Sequence, residues 1–107
     1  MTDAPANLFD AVAVGAADEE VVVLAEGSGA RIERIVSCGH ASEPGFWYDQ
    51  DRPEWVALLQ GEAALEFADG ECVRLRPGDY LTIAAHVRHR VAWTSAEPPA
   101  VWLAVHT

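Results

Sequence analysis

Short runs in which apolar and polar residues alternate cover most of the chain, and a period of two is typical of strands packed on one face. The clearest run, at residues 62–68, is followed by Asp69-Gly70 and by a second alternating run at residues 71–75. An Asp-Gly pair between two such runs predicts a tight hairpin. We therefore expect these two strands to pair and to place their apolar side chains in one core.

The same pattern predicts an all-β sandwich or barrel, because turn-forming residues separate the runs at short, regular intervals. Residues 7–14 are the one stretch with the character of a short helix. We expect residues 1–18 to form a loosely held N-terminal segment and residues 19–107 to form a single domain. Strands are predicted at residues 20–25, 31–38, 54–59, 62–68, 71–75, 80–84, 89–94 and 100–106.

Composition excludes several classes of function for this chain of 107 residues. Seven Arg, no Lys and 17 acidic residues give a formal charge of −10, which argues against nucleic-acid binding. The absence of Lys also excludes Schiff-base catalysis. No apolar run reaches the roughly 20 residues of a membrane span, and the acidic N-terminus does not resemble a signal peptide. We therefore predict a cytoplasmic protein in which Cys38 and Cys72 are free thiols.

Side chains capable of metal binding or proton transfer concentrate in two segments, residues 46–54 and 84–93. Strand alternation places His89 on the same face as Trp93, two steps along a predicted strand. If that face is the interior, an imidazole enters the barrel on an otherwise apolar strand. Glu54 begins another predicted strand, and a carboxylate facing an imidazole favours a metal or acid–base site.

These segments resemble the two sequence motifs of the cupin superfamily. Glu54, six residues and Gly61 match the second half of the first motif. Gly78 and His89 match the second motif in register. The resemblance extends from Ser37 to His106, about two thirds of the chain. It implies a double-stranded β-helix, or jelly-roll barrel.

The chain departs from the first motif where cupins have two histidines. Depending on the spacing within the motif, those positions fall on Trp47 and Asp49 or on Tyr48 and Gln50. Neither alignment supplies an imidazole. The second motif departs as well, at three positions where Pro, Gly and Asn are usual in the family. This chain has Ala84, His86 and Trp93 there.

The resemblance implies a divalent metal held by Glu54 and His89, with Asp49 and His86 as further donors and Gln50 as the alternative to Asp49. Such a set would suit iron, manganese, nickel or zinc. The alternatives are an ion pair between Glu54 and an arginine at the barrel mouth, a hydrogen-bonded core position for His89, and solvated positions for the other two. The predicted walls of a ligand pocket are Trp47, Tyr48, Gln50 and Trp93.

Two classes of function follow from the resemblance. One is a small metal-dependent enzyme, of dioxygenase, isomerase or decarboxylase type, acting on a small polar molecule in the barrel. The other is a non-catalytic binding or sensor module with a metal-free site; an interaction domain without pocket chemistry is a third, weaker alternative.

The apolar run Val21–Leu24 predicts a free edge strand that pairs across a two-fold axis, so we expect a homodimer. His40 and His106 are assigned no role.

Overall fold

The computed structural model describes residues 4–12, 15 and 18–107, and within these residues it contains eight strands and no helix. The predicted all-β class is confirmed, and every predicted strand is present with its ends within two residues of the expected positions. No helix in this part of the chain is long and apolar enough to cross a membrane. The strands are β1 (Glu20–Gly27), β2 (Ala30–Ser37), β3 (Glu54–Gln60), β4 (Ala63–Phe67), β5 (Cys72–Leu75), β6 (Tyr80–Ile83), β7 (His89–Thr94) and β8 (Ala100–His106).

Within residues 7–14, the stretch with the character of a short helix, residues 8–11 form a turn, and residues 13 and 14 lie outside the described residues. The side chain of Asn7 accepts a hydrogen bond from the backbone N–H of Phe9, at 2.8 Å, and such local bonds compete with helix formation. The buried guanidinium of Arg34 on β2 then donates to the carbonyl oxygens of Leu8 and Asp10. This part of the N-terminal segment is therefore attached to the sheet.

The strands form two antiparallel sheets that enclose one core. The larger sheet has the order β1-β2-β8-β3-β6 and the smaller has the order β5-β4-β7. The hairpin predicted at Asp69-Gly70 joins β4 to β5, with the N–H of Gly70 donating to the carbonyl of Phe67 at 2.9 Å. Both sheets contribute apolar side chains to the buried core: Val56, Leu58, Ala63, Leu65, Leu75, Ile83, Ala100 and Trp102.

A bulge in β7 changes which of its side chains face the interior. Leu65 of β4 pairs with Val91, but the preceding residue of β4 pairs with Trp93, so Ala92 is an extra residue in β7. An extra residue reverses the inward–outward alternation. His89 is therefore buried as predicted, whereas Trp93 is 42% exposed on the outer side.

The turn between β3 and β4 packs closely against the segment between β7 and β8. Gly61 has a φ of +80°, and a Cβ atom there would lie 2.7 Å from the carbonyl oxygen of Pro99 and 2.7 Å from Oγ of Ser95. Only glycine combines this backbone conformation with such a close approach. The glycine that completes the first motif is thus required by packing at the end of the barrel far from Glu54.

Replacing Gly61 by alanine should destabilise the protein more than the backbone conformation alone explains. We expect Gly61→Ala to lower the free energy of unfolding by about 2–5 kcal/mol, because left-handed strain and the clash add together. Gly29 has nearly the same φ, +79°, but open space around it. Gly29→Ala is therefore the matched control, with an expected loss of about 1–2 kcal/mol in urea denaturation. Equal losses for the two variants would contradict this account of the turn.

The homodimer stays a prediction, and the structure indicates where to test it. β1 is an outer strand of the larger sheet, and Val21–Leu24 are each 37–51% exposed. If β1 pairs with a second copy, Val23→Lys should convert the dimer to a monomer in light scattering at micromolar concentration, because the charge would be buried in the interface. Val87→Lys, at an exposed loop position outside the apolar run of β1, should leave the mass unchanged. A monomeric wild type would refute the prediction.

Candidate active site

A cavity of about 240 Å³ between the two sheets is lined by Glu19 and Arg31, and four strands each direct one further carboxylate or imidazole side chain into it. These side chains are Glu33 from β2, Glu54 from β3, His89 from β7 and His106 from β8. The remaining lining is largely apolar, so the cavity combines a small polar cluster with an apolar wall. The apolar members of the lining are Val21, Ile35, Val56, Leu65, Ile83, Val91 and Trp102.

The register of β8 explains why three of these groups meet. In the two strand pairings of β8, His106 lies directly opposite Glu54 on one side and Arg31 on the other, with Glu33 two residues further along β2. Side chains at these cross-strand positions on one face are neighbours. Nε2 of His106 lies 2.8 Å from a carboxylate oxygen of Glu33 and 3.5 Å from one of Glu54. Nε of Arg31 lies 3.0 Å from the other oxygen of Glu33.

His89 approaches this cluster from the smaller sheet and is only 4% exposed. Its Nδ1 lies 2.9 Å from the carbonyl oxygen of Val87, and a carbonyl can only accept, so Nδ1 carries a proton and donates. Its Nε2 lies 3.8 Å from Oε1 of Glu54, beyond hydrogen-bond distance. The ring of Tyr48 stacks on the imidazole with 5.4 Å between the ring centroids. The hydrogen bond to Val87 and the stacked ring of Tyr48 therefore fix the orientation of the His89 imidazole.

The surroundings of Glu54 in the cavity shift the pKa of its carboxyl group. Burial is the largest influence and raises the pKa of this carboxyl group, the neighbouring imidazoles of His106 and His89 lower it, and the carboxylate of Glu33 raises it further. The net pKa is raised above its usual value. Burial, assisted by Glu19 and Glu54, likewise raises the pKa of the Tyr48 hydroxyl. A buried carboxyl group with a raised pKa in a cavity is a candidate for acid–base chemistry.

Asp49 and His86, two of the four predicted metal donors, lie at the mouth of the barrel and bind each other. Nδ1 of His86 lies 2.9 Å from a carboxylate oxygen of Asp49, and both side chains are exposed. The backbone of His86 has a φ of +64° and its N–H donates to the carbonyl of Gln50 at 2.7 Å. That left-handed conformation gives a physical reason why glycine is usual at this motif position.

The predicted donors therefore form two separate pairs, with Glu54 and His89 inside the cavity and Asp49 and His86 at its mouth. Across the described ranges, no group of three or more His, Cys, Asp or Glu side chains is placed to hold a metal ion. The donor set does not fit a complete divalent-metal site as it stands. What the arrangement offers directly is hydrogen bonding and proton transfer.

Of the four residues predicted to form the pocket walls, two line the cavity and two lie outside it. Tyr48 and Gln50 line the cavity. Trp47 does not; its ring lies beneath the guanidinium of Arg88, 5.7 Å from it. Trp93 is outside because of the bulge in β7, and the guanidinium of Arg74 covers its ring at 5.3 Å.

Two cavity residues, Glu33 and His106, were missed by the sequence analysis. Alternation along β8 would have identified His106, because Trp102, Ala104 and His106 occupy one face. Glu33 gives a weaker signal, since it lies among charged residues on β2. Its role depends on the pairing of β2 with β8, which is a contact between distant parts of the chain.

Comparisons with known proteins agree with this architecture. The family described as the cupin domain matches residues 36–106. A protein from Ralstonia eutropha JMP134, provisionally named a mannose-6-phosphate isomerase, is 51% identical, with a TM-score of 0.92 over 97% of each chain. None of the curated proteins matches the sequence.

Two more distant solved structures share the fold. A cupin superfamily protein from Desulfitobacterium hafniense DCB-2 is 21% identical, with a TM-score of 0.71 over 84% of this chain and 77% of that one. An RmlC-like cupin with a double-stranded β-helix fold, from Methanocaldococcus jannaschii, is 16% identical, with a TM-score of 0.68 over 87% and 83%. The family match spans both motif segments and the cavity residues Glu54, His89 and His106. The chain is a member of the cupin family with the double-stranded β-helix fold.

Proposed function

We propose that the barrel cavity binds a small polar molecule and that Glu54 and His89 contact it directly. One observation carries the proposal. His89 is almost completely buried, yet its Nε2 has no hydrogen-bond partner and points at Glu54 across a gap of 3.8 Å. Both residues line the cavity, and polar atoms that face a cavity without a protein hydrogen bond are typically completed by a ligand or an ordered water.

The dimensions of the cavity limit the ligand. At about 30 Å³ per water, the volume of about 240 Å³ corresponds to about eight water molecules. A ligand of similar size would place an apolar part against Val56, Leu65 and Ile83. Its polar part would reach Glu54 and His89.

The raised pKa of Glu54 supports a catalytic use of the same contacts. A buried carboxyl group whose pKa is raised above its usual value, with an imidazole on either side, can exchange a proton with a bound molecule. The provisional name of the Ralstonia protein, 51% identical, makes sugar isomerisation a second candidate. Aldose–ketose isomerisation moves one proton between neighbouring carbon atoms and a second from the hydroxyl to the carbonyl oxygen, so Glu54 would carry the first and a neighbouring imidazole the second.

A divalent metal is the competing proposal, and one observation favours it. Nδ1 of His89 donates to a backbone carbonyl, which is the arrangement typical of metal-bound histidines. Iron, manganese, nickel or zinc at Glu54 and His89 would still lack a third protein donor, because His106 is bound to Glu33. We therefore assign no step of the function to a metal.

A ligand screen with a matched cavity variant tests the function. Thermal unfolding of chelator-treated protein should shift upward with at least one small polar molecule among amines, alcohols, sugars, carboxylates and mannose 6-phosphate. A ligand at 100 times its Kd stabilises by about 2.7 kcal/mol. His89→Phe keeps an aromatic ring against Tyr48 but removes both ring nitrogens, so the shift should disappear.

The control is His86→Phe, which changes the exposed mouth and should retain the shift. Iron(II), manganese, nickel and zinc are separate arms of the screen. If one metal, added without any other ligand, reproduces the shift in wild type and the shift disappears in Glu54→Ala, that result would favour the metal proposal. No shift with any addition would contradict both proposals.

The titration of Glu54 should appear in the stability of the protein. Because the folded pKa is raised above the usual value of 4.5, the folded protein binds this proton more tightly than the unfolded chain does. The contribution of Glu54 to stability is therefore greatest at low pH and falls as pH rises from about 4.5 through the folded pKa. Glu54→Gln removes this titration, so the variant should gain stability relative to wild type across that range in urea denaturation.

The matched control is Glu62→Gln, which changes an exposed carboxylate paired with Arg74 outside the cavity. It should shift the curve of stability against pH far less. A difference between Glu54→Gln and wild type that is constant with pH would show that burial does not favour the proton on Glu54.

A further inference from the structure

The gap between His89 and Glu54 lies between two hydrogen-bond acceptors. Nδ1 of His89 already donates to Val87, so Nε2 of the neutral ring has only a lone pair to offer. The ionised carboxylate of Glu54 also only accepts. Nε2 and Oε1 are 3.8 Å apart, which leaves room for one donor atom to reach both. A group with at least two N–H or O–H bonds would satisfy both acceptors at once.

The charges around the cavity restrict that donor further. Three carboxylates line it, those of Glu19, Glu33 and Glu54, against a single arginine, Arg31. The Nε of this arginine already contacts Glu33, at 3.0 Å. Among the described residues that line the cavity, the carboxylates outnumber the arginine by three to one, so an anionic ligand would be repelled at close range. A cationic ligand would instead be attracted by the same three carboxylates.

We propose that the molecule bound in this cavity is a small primary ammonium compound. Its N–H groups donate to Nε2 of His89 and Oε1 of Glu54, and its short apolar body lies against Val56, Leu65 and Ile83. The inference rests on the proposed function and specifies its ligand class. An ammonium offers three N–H donors, whereas an alcohol offers one, and a carboxylate or phosphate dianion offers none.

Three probes of one size and shape test the ligand class: n-pentylamine, pentan-1-ol and pentanoate. Each is titrated at about pH 7.5, where the amine is cationic and pentanoate is anionic. The protein is the full chain treated with chelator, and the signal is the NMR resonance of the Trp102 indole N–H in the cavity wall. Pentylamine should bind at least about tenfold more tightly than pentanol, because charge-assisted hydrogen bonds are the stronger ones. Pentanoate should cause no shift.

Glu54→Gln should weaken pentylamine binding by at least about tenfold, because it removes the charge at the contact. Glu62→Gln removes one exposed charge elsewhere and should leave the affinity within about twofold of wild type. If circular dichroism shows that Glu54→Gln is unfolded, Glu33→Gln is used instead, with an expected loss of at least about threefold.

The remaining outcomes overturn the inference in distinguishable ways. Binding of pentanol or pentanoate at least as tight as that of pentylamine would reject the ammonium class while keeping the cavity as a binding site. Equal binding of pentylamine by wild type and Glu54→Gln would show that the amine responds only to the acidic surface. If no probe shifts Trp102 and the broader screen is also empty, the proposed function fails together with this inference.

Discussion

A carboxyl group can enter an apolar barrel only when its new surroundings offset the loss of water. Glu54 meets this requirement with His106 beside it on the larger sheet and His89 opposite it on the smaller one. The contact is thus polar and spans the two sheets within an otherwise apolar interior. The positions of Glu33 and Tyr48 follow from it, because each holds one of the two imidazoles in place.

Most of the fold could be predicted from the sequence because alternation is a local property. Each run of period two became a strand, and the Asp69-Gly70 turn joined the strands on either side of it. The same alternation correctly placed His89 inside the barrel. It failed for Trp93, because β7 contains a bulge. The bulge depends on how β7 pairs with β4, and the alternation of apolar and polar residues in the sequence does not reveal it. Near the N-terminus, residues 8–11 form a turn, and the carbonyl oxygens of Leu8 and Asp10 accept hydrogen bonds from Arg34, a contact between distant parts of the chain.

The candidate site was harder to predict than the fold, because its residues come from four strands that are distant in sequence. The family motifs identified Glu54 and His89, which do meet in the cavity. They could not identify Glu33 and His106, whose contact depends on the register of β2 against β8. Asp49 and His86 were expected inside, but their loops end at the barrel mouth, where water competes with any shared ligand.

The two ends of this barrel differ in how freely they can change over evolution or in protein engineering. At the Gly61 turn, backbone atoms of Pro99 and Ala100 lie within 3 Å of where a single added methyl carbon would go, so an insertion there would force strands apart. At the opposite end, Gly29 has open space around it, and Asp49 and His86 are held mainly by each other. Loops around this open end can therefore lengthen or shorten without disturbing the core. New ligand preferences could be introduced there while the buried acid–base cluster is kept intact.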